Sequence, residues 1–344
     1  MTDADVVVIG AGVMGSATAR ALARRGREVI LLERFRIGHT RGSSHGRSRI
    51  FRLSYDHPQY VRMAMESLPL WRELEEEAGT DILRRTGGLD VGSIDANVRA
   101  LQQCGGRFEV LAPDRAAERF PFLAFPEDRV LFHDDAGIVL ADRAVRELAG
   151  SARRHGARVV EQAEAIAVVP GDDAVEIRTA DRTFRAGVAV VAAGGWANAL
   201  LSSAGIRLPV RVTRETVAYF RTPDEERLPT RISWGEGLGM YALPSPGQGL
   251  KVGEHGVGPE VDPDIEGPPN AESVARIASW VAERYPTADP EPYLAETCLY
   301  TNTRDGHFIL ERRNRVVIGS PCSGHGFKFA PWIGERLAAL ATEP

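Results

Sequence analysis

The chain has 344 residues, of which 43% are hydrophobic and 26% are charged, values typical of a folded protein and not of a disordered chain. Its formal net charge of -5 argues against an electrostatic partnership with nucleic acid or an anionic membrane surface, because both favour basic patches. No uncharged apolar stretch approaches the length of a membrane span, and three cysteines are too few for a disulfide framework. We therefore expect a cytoplasmic, enzyme-sized protein of about two domains, with no targeting segment and no nucleic-acid or membrane partner.

The N-terminal residues predict one β-α-β unit. An apolar run over 6–9 indicates a buried strand and leads into Gly10-Ala11-Gly12-Val13-Met14-Gly15, after which a helical stretch continues to Arg25. A second strand over 28–32 ends at Glu33.

This unit has the spacing of a dinucleotide-binding site. Gly10 allows a tight turn, Gly12 lets the backbone approach a pyrophosphate, and Gly15 permits close helix–strand packing. Glu33 comes 23 residues after Gly10, where an acid would accept a hydrogen bond from a ribose hydroxyl. The alternative is a purely structural turn, and the unit does not distinguish FAD from NAD.

The later elements alternate between helical and strand patterns. In chain order we predict a helix over 58–79, a strand over 88–92, an irregular stretch to about 140, a helix capped by Asp142 and running to 155, a three-stranded meander with turns at 171–173 and 180–182, a buried strand over 188–193 that ends in Gly194-Gly195-Trp196, a strand-rich region over 208–253, a helix over 272–285, a strand over 316–319 and a final helix. Nucleotide-binding features at both ends and in the middle indicate two interleaved domains.

Two further segments are candidates for ligand contact. The segment over 42–52 carries three arginines, a histidine and two glycines, which could face an anionic flavin or a substrate carboxylate. The turn over 323–329 has glycines that would admit a flat ring, and it also contains Lys328. The alternative for the segment over 42–52 is a solvated basic loop, and the alternative for the turn over 323–329 is a helix-capping turn with an exposed lysine.

These motifs resemble those of the monomeric sarcosine oxidase family, flavoproteins that include N-methyltryptophan oxidase. The resemblance covers the whole chain, with the motifs in the order of the family: the glycine motif, the run Ser44-His45-Gly46-x-x-Arg49-x-x-Arg52, the segment Thr297-Cys298-Leu299-Tyr300-Thr301 and the turn Ser323-Gly324-His325-Gly326-Phe327-Lys328-Phe329.

The resemblance implies an α/β fold in which a Rossmann-type FAD-binding domain is interleaved with an α+β substrate domain built on a mainly antiparallel sheet. We expect the FAD-binding domain to comprise residues 1–82, 142–207 and 299–344, and the substrate domain to comprise 83–141 and 208–298.

The resemblance also implies an FAD site with a covalent link from Cys298 to the flavin 8α carbon, although a lone buried cysteine is more often a small hydrophobic residue. Cys322 is expected to pack, and Cys104 is assigned no role. The predicted cofactor-binding residues are Gly10, Gly12, Val13, Met14, Gly15, Glu33, Arg34, Ser43, Ser44, His45, Arg49, Gly194, Trp196, Cys298, Gly324, Gly326, Phe327 and Lys328.

Arg52 and Lys328 match the pair that binds the substrate carboxylate in this family, a planar fork and a point charge. Tyr241, Tyr300 and His255 match residues of the substrate cavity. Lys251 matches the lysine near flavin N5 that assists the reaction with oxygen. His45 and Arg49 match residues on the opposite flavin face. The predicted catalytic residues are Lys251, His255, Arg49, His45 and Tyr241. The alternative for Lys251 is a strand-edge lysine in water, and the alternative for His255 is a structural histidine.

The function implied is oxidation of a secondary amino acid, in particular an N-methyl one, to an imine, with hydrogen peroxide formed from molecular oxygen. The substrate amine would carry a carboxylate, the protein would be a monomer, and no metal site is implied. Because family members differ near Trp234, Glu236 and Met240, the amine stays open: a cyclic imino acid, a sugar-modified amino acid and a biosynthetic intermediate are alternatives. An NAD-dependent dehydrogenase and a flavin-binding protein without turnover are the rival classes.

Overall fold

The computed structural model describes residues 2–234 and 239–343, so Glu236 lies outside the described residues. Their α-helices are α1 (Val13–Arg24), α2 (Pro58–Ala78), α3 (Asp95–Cys104), α4 (Pro113–Arg119), α5 (Ala141–Arg154), α6 (Ala197–Leu201), α7 (Ala271–Arg284) and α8 (Ala330–Thr342). Short 3-10 turns cover Gly194–Trp196, Ser202–Ala204, Glu225–Arg227 and Phe327–Phe329. Within these ranges, no helix is both long enough and apolar enough to cross a membrane.

The strands of the same residues are β1 (Ala4–Ile9), β2 (Val29–Leu32), β3 (Arg49–Phe51), β4 (Leu83–Arg85), β5 (Gly88–Gly92), β6 (Glu109–Leu111), β7 (Val130–His133), β8 (Gly137–Val139), β9 (Arg158–Val160), β10 (Ala165–Pro170), β11 (Val175–Thr179), β12 (Thr183–Val191), β13 (Val210–Phe220), β14 (Thr230–Trp234), β15 (Met240–Ser245), β16 (Gly249–Glu254), β17 (Leu294–Thr303), β18 (Ile309–Arg313) and β19 (Val316–Ser320).

The first sheet has the order β10-β11-β12-β1-β2-β9, and β1 pairs in parallel with both β12 and β2. Side chains alternate along β1: Val6 and Val8 join the core beneath α1, α5 and α8, whereas Val7 and Ile9 join the core on the other face. This sheet is covered on both faces, which explains the continuous apolar run that predicts β1.

Strand β12 unites two features that the sequence suggests separately. Its N-terminal half closes the antiparallel meander with β11, and its C-terminal half pairs in parallel with β1 and β19. The third meander strand and the predicted buried strand over 188–193 are therefore one element.

The second sheet has the order β17-β13-β16-β15-β14-β5-β7-β6, and its neighbours are antiparallel except for β14 and β5. One face packs on α7, where Leu250 and Val252 of β16 contact the cluster that includes Trp280. The alternate residue Lys251 therefore lies on the opposite face, toward the first sheet.

Two local predictions are wrong. The stretch over 93–140, expected to be irregular, contains α3, β6, α4, β7 and β8, because β7 pairs with the distant β5 and local periodicity carries little of that signal. Asp142 does not cap α5: the N-cap residue is Leu140, and the Asp142 carboxylate instead accepts a hydrogen bond of 2.8 Å from the Gly46 N–H.

The two sheets confirm the predicted α/β class, with a Rossmann-type sheet and a mainly antiparallel sheet built from interleaved segments. The domain boundaries stay a prediction. The boundary at 298/299 falls inside β17, whose residues pair with β13 from Leu294 to Thr303 in one ladder.

Candidate active site

The glycine loop between β1 and α1 is closely packed. Gly10 has φ +97°, and a Cβ there would lie 2.7 Å from the Ala192 carbonyl oxygen. A Cβ on Gly15 would collide with the Gly10 carbonyl. Helix α1 begins at Val13, and its N-cap residue Gly12 supplies no side-chain cap. The positive end of the helix therefore faces the space above the loop, as phosphate binding requires.

Glu33, at the end of β2, accepts a hydrogen bond from this loop. Its two carboxylate oxygens accept hydrogen bonds of 2.8 Å from the N–H groups of Ala11 and Phe35, and the residue is 4% exposed. Because a carboxylate offers about four lone-pair sites, acceptor capacity remains for a ribose hydroxyl. The predicted ribose contact stays a prediction.

Asp264 contacts two of the predicted cofactor-binding residues, Arg34 and Trp196. Its Oδ1 accepts hydrogen bonds from Arg34 Nη1 at 2.6 Å and from Trp196 Nε1 at 2.9 Å. The Trp196 hydrogen bond, ahead of the Arg34 contacts, lowers the pKa of Asp264. Gly194, with φ +52°, begins the 3-10 turn that places Trp196 there. Sequence reasoning assigned no role to Asp264.

The basic segment over 42–52 folds against the middle of the site. Ser44 Oγ accepts a hydrogen bond of 3.1 Å from the Val13 N–H, and Ser43 Oγ donates to the Leu299 carbonyl. Arg49 donates to the Ser43 carbonyl at 3.1 Å and lies over the Phe327 ring. The segment is thus an ordered wall between the glycine loop and β17.

His45 is held neutral at pH 7. Burial, followed by repulsion from Arg49 and Lys251, lowers the pKa of His45 to about 3. Its Nε2 is buried and has no hydrogen-bond partner among the described residues. Most buried side-chain nitrogens have a hydrogen-bond partner, so this Nε2 is an exception among the described residues.

Lys251, Tyr241, Cys298 and Tyr300 line one cavity together. In the ladder between β15 and β16, Tyr241 is opposite Gly253, and Leu243 is opposite Lys251. Period-two alternation therefore places the tyrosine and lysine side chains on the same sheet face. Burial and then Arg49 lower the pKa of Lys251 to about 7.

The cysteines differ in their contacts. Burial raises the pKa of the Cys298 thiol. Cys322, expected only to pack, also lines the cavity, and its Sγ accepts a hydrogen bond of 3.3 Å from the Thr301 N–H. The structure thus places two thiols beside the site.

His255, Tyr300 and Gly324 meet where the second sheet contacts the C-terminal turn. The His255 and Tyr300 ring centroids lie 5.7 Å apart. Gly324 has φ +73°, and a Cβ there would lie 2.7 Å from His255 Cε1 and would also collide with the Tyr300 ring. Burial, then Arg52 and Lys328, lower the pKa of His255 to about 4, so its imidazole is neutral at pH 7.

Arg52 and Lys328 meet around Tyr55. The Arg52 guanidinium lies 4.1 Å from the centre of the Tyr55 ring, and Lys328 Nζ donates to Tyr55 Oη at 2.8 Å and to the His325 carbonyl at 2.8 Å. Burial and then Arg52 hold the pKa of Lys328 well below its usual range. A bound anion would relieve this repulsion between two buried cations.

Sequence reasoning missed Tyr55 and Asp90. Asp90 lies 3.2 Å from Arg52 Nη1, and the available signal was a charged residue between Leu89 and Val91 in an otherwise apolar strand. The amino-acid composition also contains a signal for this site. The chain has 42 lysine and arginine residues, but its lysines are Lys251 and Lys328 alone, and both are buried in this site.

A cavity of about 970 Å³ connects all of these groups. Every predicted site residue lines it except Gly15, which packs against the loop, and His45. This volume is at the upper end of the range of about 300–1,000 Å³ for small-molecule sites. A glycine loop at a helix N-terminus, a cavity of this volume and the basic side chains Arg49 and Lys251 fit an FAD molecule.

Comparisons with known proteins agree with this chemistry. The FAD dependent oxidoreductase family matches residues 5–340. Human peroxisomal sarcosine oxidase is 36% identical, with 98% of this chain and 92% of that protein covered. Monomeric sarcosine oxidase from Bacillus sp. (strain B-0618) is 32% identical, with 99% of this chain and 92% of that protein covered.

Solved structures share the fold. The open form of NikD, an unusual amino acid oxidase essential for nikkomycin biosynthesis, matches with a TM-score of 0.88 and 28% identity over 100% of this chain and 95% of its own. L-proline dehydrogenase from P. horikoshii matches with a TM-score of 0.88 and 25% identity over 99% of this chain and 94% of its own. The chain therefore belongs to the FAD dependent oxidoreductase family, as a flavin-dependent amine oxidoreductase.

Proposed function

We propose that the protein is an FAD-dependent oxidase of a secondary amino acid, in particular an N-methyl amino acid. The observation that carries this proposal is the pair of buried basic side chains, Arg52 and Lys328, in a cavity that the glycine loop also lines. The similarity to sarcosine oxidases supports an N-methyl substrate. With sarcosine, oxygen and water as reactants, the products would be glycine, formaldehyde and hydrogen peroxide.

The substrate carboxylate would bind to the hydrogen-bond donors that the protein leaves free. Two of the three Lys328 Nζ hydrogens are used by Tyr55 and the His325 carbonyl, which leaves one. Arg52 uses only Nη1 within the described residues. Together the two side chains orient the amine toward the wall formed by Tyr241, Tyr300 and His255.

FAD, when bound, would supply the acceptor for the two electrons that leave the substrate and the centre that reacts with oxygen. The other steps depend on protein groups. His255, neutral at pH 7, presents no charge against the substrate amine. Lys251, whose pKa of about 7 leaves it part-protonated at neutral pH, would place positive charge where oxygen gains negative charge.

We also propose the cofactor contacts and the covalent link. The glycine loop, Glu33 and Arg34 would hold the dinucleotide, and Ser43, Ser44, His45 and Arg49 would face the flavin. Cys298 would attach the flavin through its 8α carbon, supported by the position of this residue on the cavity wall. We further propose a monomer acting in the cytoplasm, with the domain division given above.

One preparation tests the proposal. Purified protein should be yellow, and acid precipitation should leave the colour in the pellet if Cys298 holds the flavin covalently. Peroxide release should then be measured with sarcosine, N-methylalanine, N-methyltryptophan, proline and a sugar-modified amino acid, with glycine as the primary-amine control. Activity with proline alone would favour the cyclic imino acid alternative. Colourless protein that does not take up FAD would refute the proposal.

A further inference from the structure

The proposed carboxylate site has a buried carboxylate behind it. Asp90, in β5, is 1% exposed, and its Oδ1 lies 3.2 Å from Arg52 Nη1. Its Oδ2 lies 3.4 Å from His133 Nε2, and His133 is 2% exposed. Asp90 is not among the residues that line the cavity, whereas Arg52 is. Asp90 therefore has no direct contact with the cavity and reaches it through Arg52 and through its charge.

Asp90 and the Ser54 carbonyl both bind the same nitrogen of Arg52. A guanidinium has five N–H donors, of which two are on Nη1. Within residues 2–234 and 239–343, Nη1 donates to Asp90 Oδ1 and to the Ser54 carbonyl, and no hydrogen bond uses Nη2 or Nε. The Nη2–Nε edge is therefore available for a carboxylate to bind side-on with two parallel hydrogen bonds.

Asp90 also determines the charge of the site. When Lys328 is protonated, Arg52 and Lys328 bring two positive charges, both on residues less than a tenth exposed, and Asp90 brings one negative charge at a similar depth. One bound carboxylate adds a second negative charge, so that the charges of Arg52, Lys328, Asp90 and the ligand sum to zero. A second carboxylate on the same ligand would leave one buried negative charge without a partner, which is costly in a poorly solvated site.

We propose that Asp90 is a positioning residue that holds Arg52 for side-on binding and cancels one of the two buried positive charges, so that the enzyme accepts monocarboxylate amino acids and rejects dicarboxylate ones. This inference rests on the proposed function, because it assumes that Arg52 and Lys328 bind the substrate carboxylate.

The test compares propionate and succinate, which differ by one carboxylate, as ligands of the FAD-bound enzyme. Binding is followed by the change in visible flavin absorbance. Asp90→Asn keeps an oxygen acceptor for Nη1 but removes the charge, whereas Asp90→Glu keeps the charge. Asp224→Asn is the matched control, since Asp224 is also buried and pairs with an arginine, Arg227, at 2.9 Å, but Arg227, unlike Arg52, does not line the cavity.

Wild-type enzyme should bind propionate at least about tenfold more tightly than succinate. Asp90→Asn should shift this ratio toward succinate by at least about tenfold, whereas Asp90→Glu and Asp224→Asn should retain the wild-type ratio. A merely structural role for Asp90 would lower stability without changing the ratio.

Equal binding of the two ligands by wild-type enzyme would overturn the inference even if the variants do not fold, and so would an unchanged ratio in Asp90→Asn. Wild-type enzyme that binds neither ligand would contradict the proposed carboxylate site itself, and the inference would fall with it.

Discussion

Replacement of Lys251 by methionine should stabilise the fold at neutral and acidic pH. Lys251 is 6% exposed, and burial followed by repulsion from Arg49 lowers its pKa from 10.5 to about 7. Because the unfolded chain holds this proton more tightly than the folded protein, the protonated form disfavours folding. Each pKa unit is worth about 1.4 kcal/mol, so lowering the pKa from 10.5 to about 7 means that burying the protonated lysine reduces the free energy of unfolding by about 5 kcal/mol.

The pH dependence of this cost has a definite sign. Below about pH 7 the folded protein carries the full cost, and between about pH 7 and 10.5 the cost decreases because the folded Lys251 is neutral while the unfolded one still binds a proton. The free energy of unfolding of Lys251→Met should therefore exceed that of wild type by about 5 kcal/mol at low pH. The two values should converge as the pH rises toward 10.5.

The assay is equilibrium unfolding in urea across this pH range, with wild type, Lys251→Met and Lys251→Arg measured in parallel. Arginine keeps a cation that does not lose its proton, so the difference between Lys251→Arg and wild type should grow at alkaline pH. A difference between Lys251→Met and wild type that does not change with pH would refute the depressed pKa and the reasoning from burial.

Three further outcomes are expected. Lys251→Met should slow the reoxidation of reduced flavin by orders of magnitude and affect anaerobic flavin reduction less; equal effects in stopped-flow measurements would contradict an oxygen role. Cys298→Ser should move the yellow colour from the acid pellet to the supernatant, and a yellow pellet would exclude Cys298 as the attachment site. Gly324→Ala should lower the unfolding free energy by about 1–3 kcal/mol, because Tyr300 must shift; an unchanged urea midpoint would show that the turn adapts.

Local patterns in the sequence were sufficient for the dinucleotide unit. The spacing of Gly10, Gly12 and Gly15, the preceding apolar strand and Glu33 are close in the chain, so their geometry follows from strand and helix parameters alone. The helices α1, α2, α5, α7 and α8 were predicted for the same reason, since helical periodicity is a local property.

The site residues of the second sheet depended on the resemblance to a known family. Lys251 and Cys298 belong to strands that are distant along the chain, and no local spacing relates them. The scarcity of lysine was a usable signal, because arginine stays charged when buried whereas lysine can lose its proton.

The sequence by itself determined the dinucleotide loop, the class of the fold and the residue types available for binding a carboxylate. Only the tertiary structure showed that β5 pairs with β14 and places Asp90 behind Arg52, and that Tyr55 separates Arg52 from Lys328. Those contacts join residues far apart in the chain, and their energies depend on burial, which forms when distant strands and helices pack together and which no local pattern records.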